Sequence, residues 1–163
     1  MPPITSDADI RVVWHKGSED KMNPIAELRR IHPMYWRDEQ NVSSATRAAG
    51  RITREWQQTV VAGDAAFVAE YRVHGLGEKI DLVDVKRRVA YELKVSPNNT
   101  HMEFYRDVFK VLAHNEAAPP RERIKELVFL APTRGAERPQ RGLGETACRI
   151  AEKFGFTVKV IAI

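Results

Sequence analysis

The stretch Ile80–Lys94, IDLVDVKRRVAYELK, decides how this chain folds. Two short apolar runs flank a basic turn, which predicts a β-hairpin with strands over Ile80–Val85 and Val89–Val95. Three charges interrupt it: Asp81 in the first strand, Glu92 and Lys94 in the second. Buried strands usually read as near-continuous apolar runs, so these charges call for a reason. Lys86-Arg87 is a poor tight primed turn, and a four-residue connection suits the sequence better. That connection sets Val83 against Ala90 and therefore Asp81 against Glu92; a three-residue loop would set Asp81 against Leu93 instead. Facing carboxylates repel, and a divalent cation bound by both is the simplest neutralising partner. Lys94 projects from the same face as Glu92, about 6–7 Å along the strand. Tyr91, Leu93 and Val95 alternate onto the other face and are expected to pack under a helix. Asp84 points away from Asp81 and is expected to cap the turn.

Outward from the hairpin, helical and extended patterns alternate. PIAELRRIH, from Pro24, reads as a short helix that Pro33 ends. SSATRAAGRITREWQQTVVAG, from Ser43, reads as a longer one, capped by Ser43 or Ser44 and stopped by Gly63. Its apolar stripe is Ala45, Ala48, Ala49, Ile52, Trp56 and Val60. Arg47, Arg51 and Arg54 line another face, either solvated or in contact with phosphates, and Glu55 lies near its edge. AAFVAEYRVHG alternates as a strand. Beyond the hairpin, Thr100 and Glu103 form a T-x-x-E capping pattern. The helix that follows has Tyr105, Val108, Phe109 and Leu112 on one face, and Arg106 and Lys110 on its polar face as candidate phosphate contacts. ELVFLA is a strongly apolar strand, ETACRIAEKFG a helix and FTVKVIAI a last strand, with a basic loop carrying Arg134, Arg138 and Arg141 between. The order helix, strand, strand, strand, helix, strand, helix, strand implies an α/β layered sandwich: a mixed sheet with helices on both faces and parallel last strands. Residues 1–42 are read as an N-terminal extension, with a short strand over Asp9–His15 and possible partner or oligomer contacts. Residues 43–163 are read as the functional domain.

The bulk numbers fit one soluble domain. The chain has 163 residues, 43% hydrophobic and 29% charged, and no apolar run approaches the roughly 18 residues of a membrane span. A single cysteine, Cys148, excludes an internal disulfide and a multi-cysteine metal site. His74, His101 and His114 show no zinc spacing. No conventional secretory signal opens the chain, and a cytoplasmic location is expected. The net charge of +4 permits a polyanionic partner without requiring one.

Two facing carboxylates, a divalent cation and a lysine in phase with them suit phosphodiester hydrolysis. Asp81, a short interval, then Glu92-Leu93-Lys94 resembles the motif of the PD-(D/E)XK nuclease superfamily, and the surrounding helix, three-strand meander, helix and strand resemble its core over roughly Ser43 to Ala131. Ile80 stands where the superfamily's signature has proline. The resemblance implies a restriction-endonuclease-like three-layer fold. It also implies Asp81, Glu92 and the Leu93 backbone carbonyl as ligands of Mg²⁺ (or Mn²⁺), Lys94 as the catalytic lysine, and Glu55 as a supporting acid. The expected activity is DNA endonuclease, in restriction, defence or repair, on a chain able to dimerise. A small toxin nuclease cutting DNA or tRNA, delivered into a rival cell and held by an immunity protein, is the alternative. A non-catalytic nucleic-acid-binding protein on the same fold is the reading of another class.

Overall fold

A computed structural model describes residues 21–163 of the chain; the predicted strand over Asp9–His15 lies outside the described residues. Helices α1 (Pro24–Tyr35) and α2 (Val42–Gly63) come first. They are followed by β1 (Phe67–Arg72), β2 (Lys79–Asp84), β3 (Val89–Leu93), α3 (Thr100–Ala117), β4 (Glu126–Ala131), the short α4 (Thr133–Ala136), α5 (Leu143–Lys153) and β5 (Thr157–Ala162). The five strands form one mixed sheet in sequence order: β1, β2 and β3 are antiparallel, and β3, β4 and β5 run parallel. The protein is thus α/β, with parallel strands joined through helices as their geometry requires.

The sheet is covered on both faces, and β4 shows why. Leu127, Phe129 and Ala131 pack with Phe104, Val108 and Val111 of α3 and Ala151 of α5; Val128 and Leu130 pack with Leu28, Ile31, Ile52, Trp56 and Val60 of α1 and α2. Every β4 residue from Leu127 on is buried, the signature of a strand buried on both faces. Helix α1 lies within the segment read as an extension, and it shares this core: Leu28 and Ile31 are fully buried. The Trp56 indole donates to the Pro24 carbonyl at 2.8 Å.

Local differences from the sequence reading have identifiable causes. Helix α1 runs past Pro33 to Tyr35; the proline falls in the last turn, where one lost hydrogen bond is outweighed by the packing of Leu28 and Ile31. Asn41, not Ser43 or Ser44, caps α2 through the Ser44 amide at 2.9 Å. The capping box at Thr100 does not form: the Thr100 hydroxyl instead donates to the Gly135 carbonyl at 2.6 Å. Asn99, at φ 55°, is the α3 cap. Any Cβ at Gly135 would meet the Thr100 methyl at 2.6 Å, so glycine permits this close approach. Phe109 is 69% exposed, and Phe104, Val108 and Val111 form the buried stripe of α3. The loop expected after β4 contains α4. The Asp84 carboxylate does cap the hairpin turn, taking the Lys86 and Arg87 amides at 3.0 and 2.9 Å.

His114 ties α3 to the β1–β2 connection. Its Nδ1 accepts from the His74 amide at 3.2 Å and its Nε2 donates to the Glu122 carbonyl at 3.1 Å. Both ring nitrogens are thereby used in the neutral form. The rings of Tyr71 and His74 stand edge-on to it, and the Glu122 carboxylate is bound to His74 Nε2 at 3.0 Å. Burial pushes the His114 pKa below the ordinary 6.5. Between that lowered value and about 6.5 the unfolded chain binds a proton that the native state does not. The stabilisation is therefore complete above about 6.5 and lost as pH falls through that window. Urea midpoints measured above and below it are expected to drop further in the wild type than in His114→Gln; an equal drop in both would refute the assignment.

Candidate active site

The hairpin register brings the acids together. Residues 85–88 form a four-residue turn, Val83 pairs with Ala90 and Leu82 with Tyr91, and one step further Asp81 faces Glu92. Both carboxyl groups line one cleft. Asp81 Oδ2 accepts from the Leu93 amide at 2.8 Å, which fixes its orientation across the strands. Tyr91, Leu93 and Val95 face the α1–α2 side, as their alternation requires. Glu92 faces α3.

The neighbouring strand is irregular at this point. Ala69 pairs with Leu82 and Tyr71 with Ile80, but the Glu70–Asp81 step between them is open, and Glu70 takes φ 50°. A non-glycine residue held there costs roughly 1–3 kcal/mol and is typical of functional sites. The irregularity also turns the strand, since Phe67 packs on the α2 side while Val73, in the same alternation, packs on the α3 side. Gln57 of α2 fills the opening: its Nε2 donates to the Asp81 carbonyl at 2.7 Å and to Glu70 Oε1 at 3.2 Å. Lys79 bonds the other Glu70 oxygen at 3.1 Å, and these two donors hold the Glu70 carboxyl below the usual range. Gln57 is buried, so Gln57→Leu leaves a buried carbonyl without its donor. The expected loss is about 1–3 kcal/mol in urea unfolding, and an unchanged midpoint would show that water replaces the amide without penalty.

From the other side α3 presents Glu103, Arg106, Asp107 and Lys110, spaced to share one helix face. With Glu70, Gly77, Glu78, Lys79, Asp81, Glu92, Leu93 and Lys94 they line a cleft of about 400 Å³. Arg106 pairs with Glu78 at 2.8 Å. Lys110, a candidate phosphate contact by sequence, is turned inward instead. Its ammonium touches Glu92 Oε1, lies 2.9 Å from Asp107 Oδ1 and donates to the Lys79 carbonyl at 2.9 Å. Glu92, Asp107 and Lys110 are each at least nine-tenths buried. The Lys110 ammonium thus occupies Glu92 Oε1. Burial, then the charges of Asp107 and Asp81, push the Glu92 carboxyl well up. Burial raises Asp107 to about 7 against the pull of Lys110. Burial alone would lower Lys110, but Glu92 and Asp107 hold it at about 12. The ammonium therefore stays charged, and the surplus of negative charge resides on the carboxylates.

Two lysines thus serve different ends. Lys110 is committed to the protein interior. Lys94 makes no ion pair among the described residues, and it lines both the acidic cleft and a larger one of about 960 Å³ shared with His32, Trp36, Ser96 and Arg134. The other expected residues are not at the cleft. Glu55 does not line it, and the α2 residue that reaches Asp81 is Gln57. Arg47, Arg51 and Arg54 line a separate surface depression, with Arg51 4.0 Å over the Tyr35 ring.

Searches against protein-family models, curated proteins and solved structures gave no match. Among the described residues no three His, Cys, Asp or Glu side chains form a closed metal-ligand cluster, and no helix is long and apolar enough to cross a membrane. The open pair Asp81 and Glu92 fits a different kind of ion. Mg²⁺ keeps several waters and takes one or two carboxylates, and these two acids line one cleft, with a single Glu92 oxygen taken by Lys110.

Proposed function

We propose that this protein is a metal-dependent nuclease of the PD-(D/E)XK type, on a restriction-endonuclease-like three-layer fold, and that its substrate is DNA. The observation that carries the reading is the juxtaposition of Asp81 and Glu92 across β2 and β3, with Lys94, which has no ion-pair partner among the described residues, two residues further along the same cleft. Asp81 and Glu92, with the Leu93 carbonyl, would hold Mg²⁺ or Mn²⁺. When bound, such an ion polarises a phosphoryl oxygen and makes a nucleophilic water available near neutral pH. Asp81 is kept in place for this task by the Leu93 amide, and its backbone by Gln57. Lys94 is free to orient the attacking water or to neutralise charge growing on the phosphoryl oxygens.

Charge distribution favours a polyanionic substrate. The chain carries +4 overall, yet the cleft is lined by six carboxylates and four cationic side chains. The positive excess lies outside it. Lys94 and Arg134 line the larger neighbouring cleft, and they offer a phosphate backbone a route toward the acids. Exposed arginines such as Arg47 on α2 add to the attraction for a polyanion.

The test is incubation with supercoiled plasmid and with total RNA, in Mg²⁺, in Mn²⁺ and in EDTA. Metal-dependent nicking of plasmid is expected. Loss of RNA alone would move the substrate to RNA, as in the toxin reading. Binding without cleavage, persisting in EDTA, would replace the nuclease with a nucleic-acid-binding protein.

A further inference from the structure

The α3 pair Asp107–Lys110 has no place in the motif that led to the cleft, yet it is among the most buried charge clusters of the molecule. We propose that Lys110 is a built-in cation occupying the place of a second divalent metal, so that the cleft takes one Mg²⁺ or Mn²⁺ and not two. The inference rests on the metal-dependent reading above and specifies its stoichiometry.

Three observations carry it. First, a two-metal phosphodiester site places its ions about 3.5–4 Å apart with a carboxylate between them. Glu92 is placed to bridge, since it faces Asp81 across the strands and shares the Lys110 ammonium with Asp107. One of its oxygens is taken by the Lys110 ammonium, which also lies on Asp107 Oδ1 at 2.9 Å. A second ion bound by Glu92 and Asp107 would have to sit where that ammonium sits. Second, the ammonium is fully engaged: Glu92, Asp107 and the Lys79 carbonyl supply three acceptors for its three donors. Removing it from this shell leaves two buried carboxylates facing each other, which strongly opposes displacement. Third, the charges close. Asp81, Glu92 and Asp107 against Lys110 leave a formal excess of two negative charges, the charge of one divalent ion. A lysine at this position supplies charge without binding water, so it neutralises Glu92 without creating a second nucleophile.

The test counts Mn²⁺ bound to the intact chain by electron paramagnetic resonance of the free ion, for the wild type, Asp81→Asn, Lys110→Met and the double variant Asp107→Asn/Lys110→Met. One ion is expected in the wild type and two in Lys110→Met, whose Glu92 and Asp107 are then free to take a second. One is expected again in the double variant. Asp81→Asn should weaken the wild-type ion by about tenfold or more. Two ions in the wild type, or one in a folded Lys110→Met, overturn the proposal while leaving the metal-dependent reading intact. No ion in the wild type overturns the metal-dependent reading itself. Where Lys110→Met does not fold, the wild-type count decides alone.

Discussion

Asp81→Asn is expected to abolish metal-dependent cleavage while leaving the protein at least as stable as the wild type. The two effects come from the same feature. Asp81 faces Glu92 in a cleft that also holds Asp107, and burial raises its pKa. Without a divalent ion, its negative charge is a source of repulsion. Asparagine is close to isosteric, and its carbonyl oxygen can still accept the Leu93 amide that Asp81 Oδ2 takes at 2.8 Å. The fold thus loses a repulsive charge and keeps its hydrogen bond. Catalysis loses an anionic ligand. A metal ion contributes several kcal/mol of transition-state stabilisation, and at about 1.4 kcal/mol per tenfold the rate should fall by about 10²–10³ or more. Single-turnover cleavage in Mg²⁺ and a thermal melt in EDTA measure the two halves. A variant that melts well below the wild type would mean that Asp81 is a structural acid, and its lost activity would then say nothing about metal.

The hairpin was readable because two local rules agreed. Alternation assigned a face to each residue, and the unsuitability of Lys-Arg for a tight turn selected the four-residue loop, which the structure has. With those two fixed, the meeting of Asp81 and Glu92 was arithmetic. The contribution of α2 was not readable in the same way. The buried stripe Ile52, Trp56 and Val60 was plain in the sequence, but Glu55 and Gln57 flank Trp56 on opposite sides. Which flank meets the strands depends on how the helix crosses the sheet, and packing decides that. Nor does any residue type announce that the Glu70 step will open and leave the Asp81 carbonyl for Gln57.

Helix α3 was legible in the sequence but its rotation was not, for a related reason. Phe104, Val108 and Val111 make one apolar stripe and Tyr105, Phe109 and Leu112 the next, so its apolar arc is too broad to fix its rotation from sequence. The same ambiguity hid Asp107 and the inward direction of Lys110. Their spacing with Glu103 and Arg106 marks a single charged face, which ordinarily faces water; here it closes over two acids of the sheet. Thr100 had the pattern of a capping box, but a tertiary acceptor, the Gly135 carbonyl, took its hydroxyl. Local capping rules operate only when no such competitor is near.

The largest expected loss of stability is at Trp56→Ala. Trp56 is fully exclosed from solvent in the core between α1, α2 and the sheet, and its indole donates to the Pro24 carbonyl at 2.8 Å. Truncation removes the largest of the fully buried side chains and leaves a cavity that Ile31 and Val60 cannot fill without moving whole helices. Such substitutions cost about 3–5 kcal/mol, a large share of the roughly 5–15 kcal/mol that stabilises a typical domain. For a chain of this size the melting temperature should fall by roughly 6–20 °C. Trp56→Phe separates the two contributions, since it keeps most of the apolar volume and loses the hydrogen bond, at about 0.5–1.5 kcal/mol for the bond alone. The consequence reaches the cleft, because Gln57 is the next residue and holds the Asp81 carbonyl. Trp56→Ala should therefore weaken Mn²⁺ binding at temperatures where the protein is still folded, whereas a purely local cavity would lower the melting temperature and leave metal affinity unchanged.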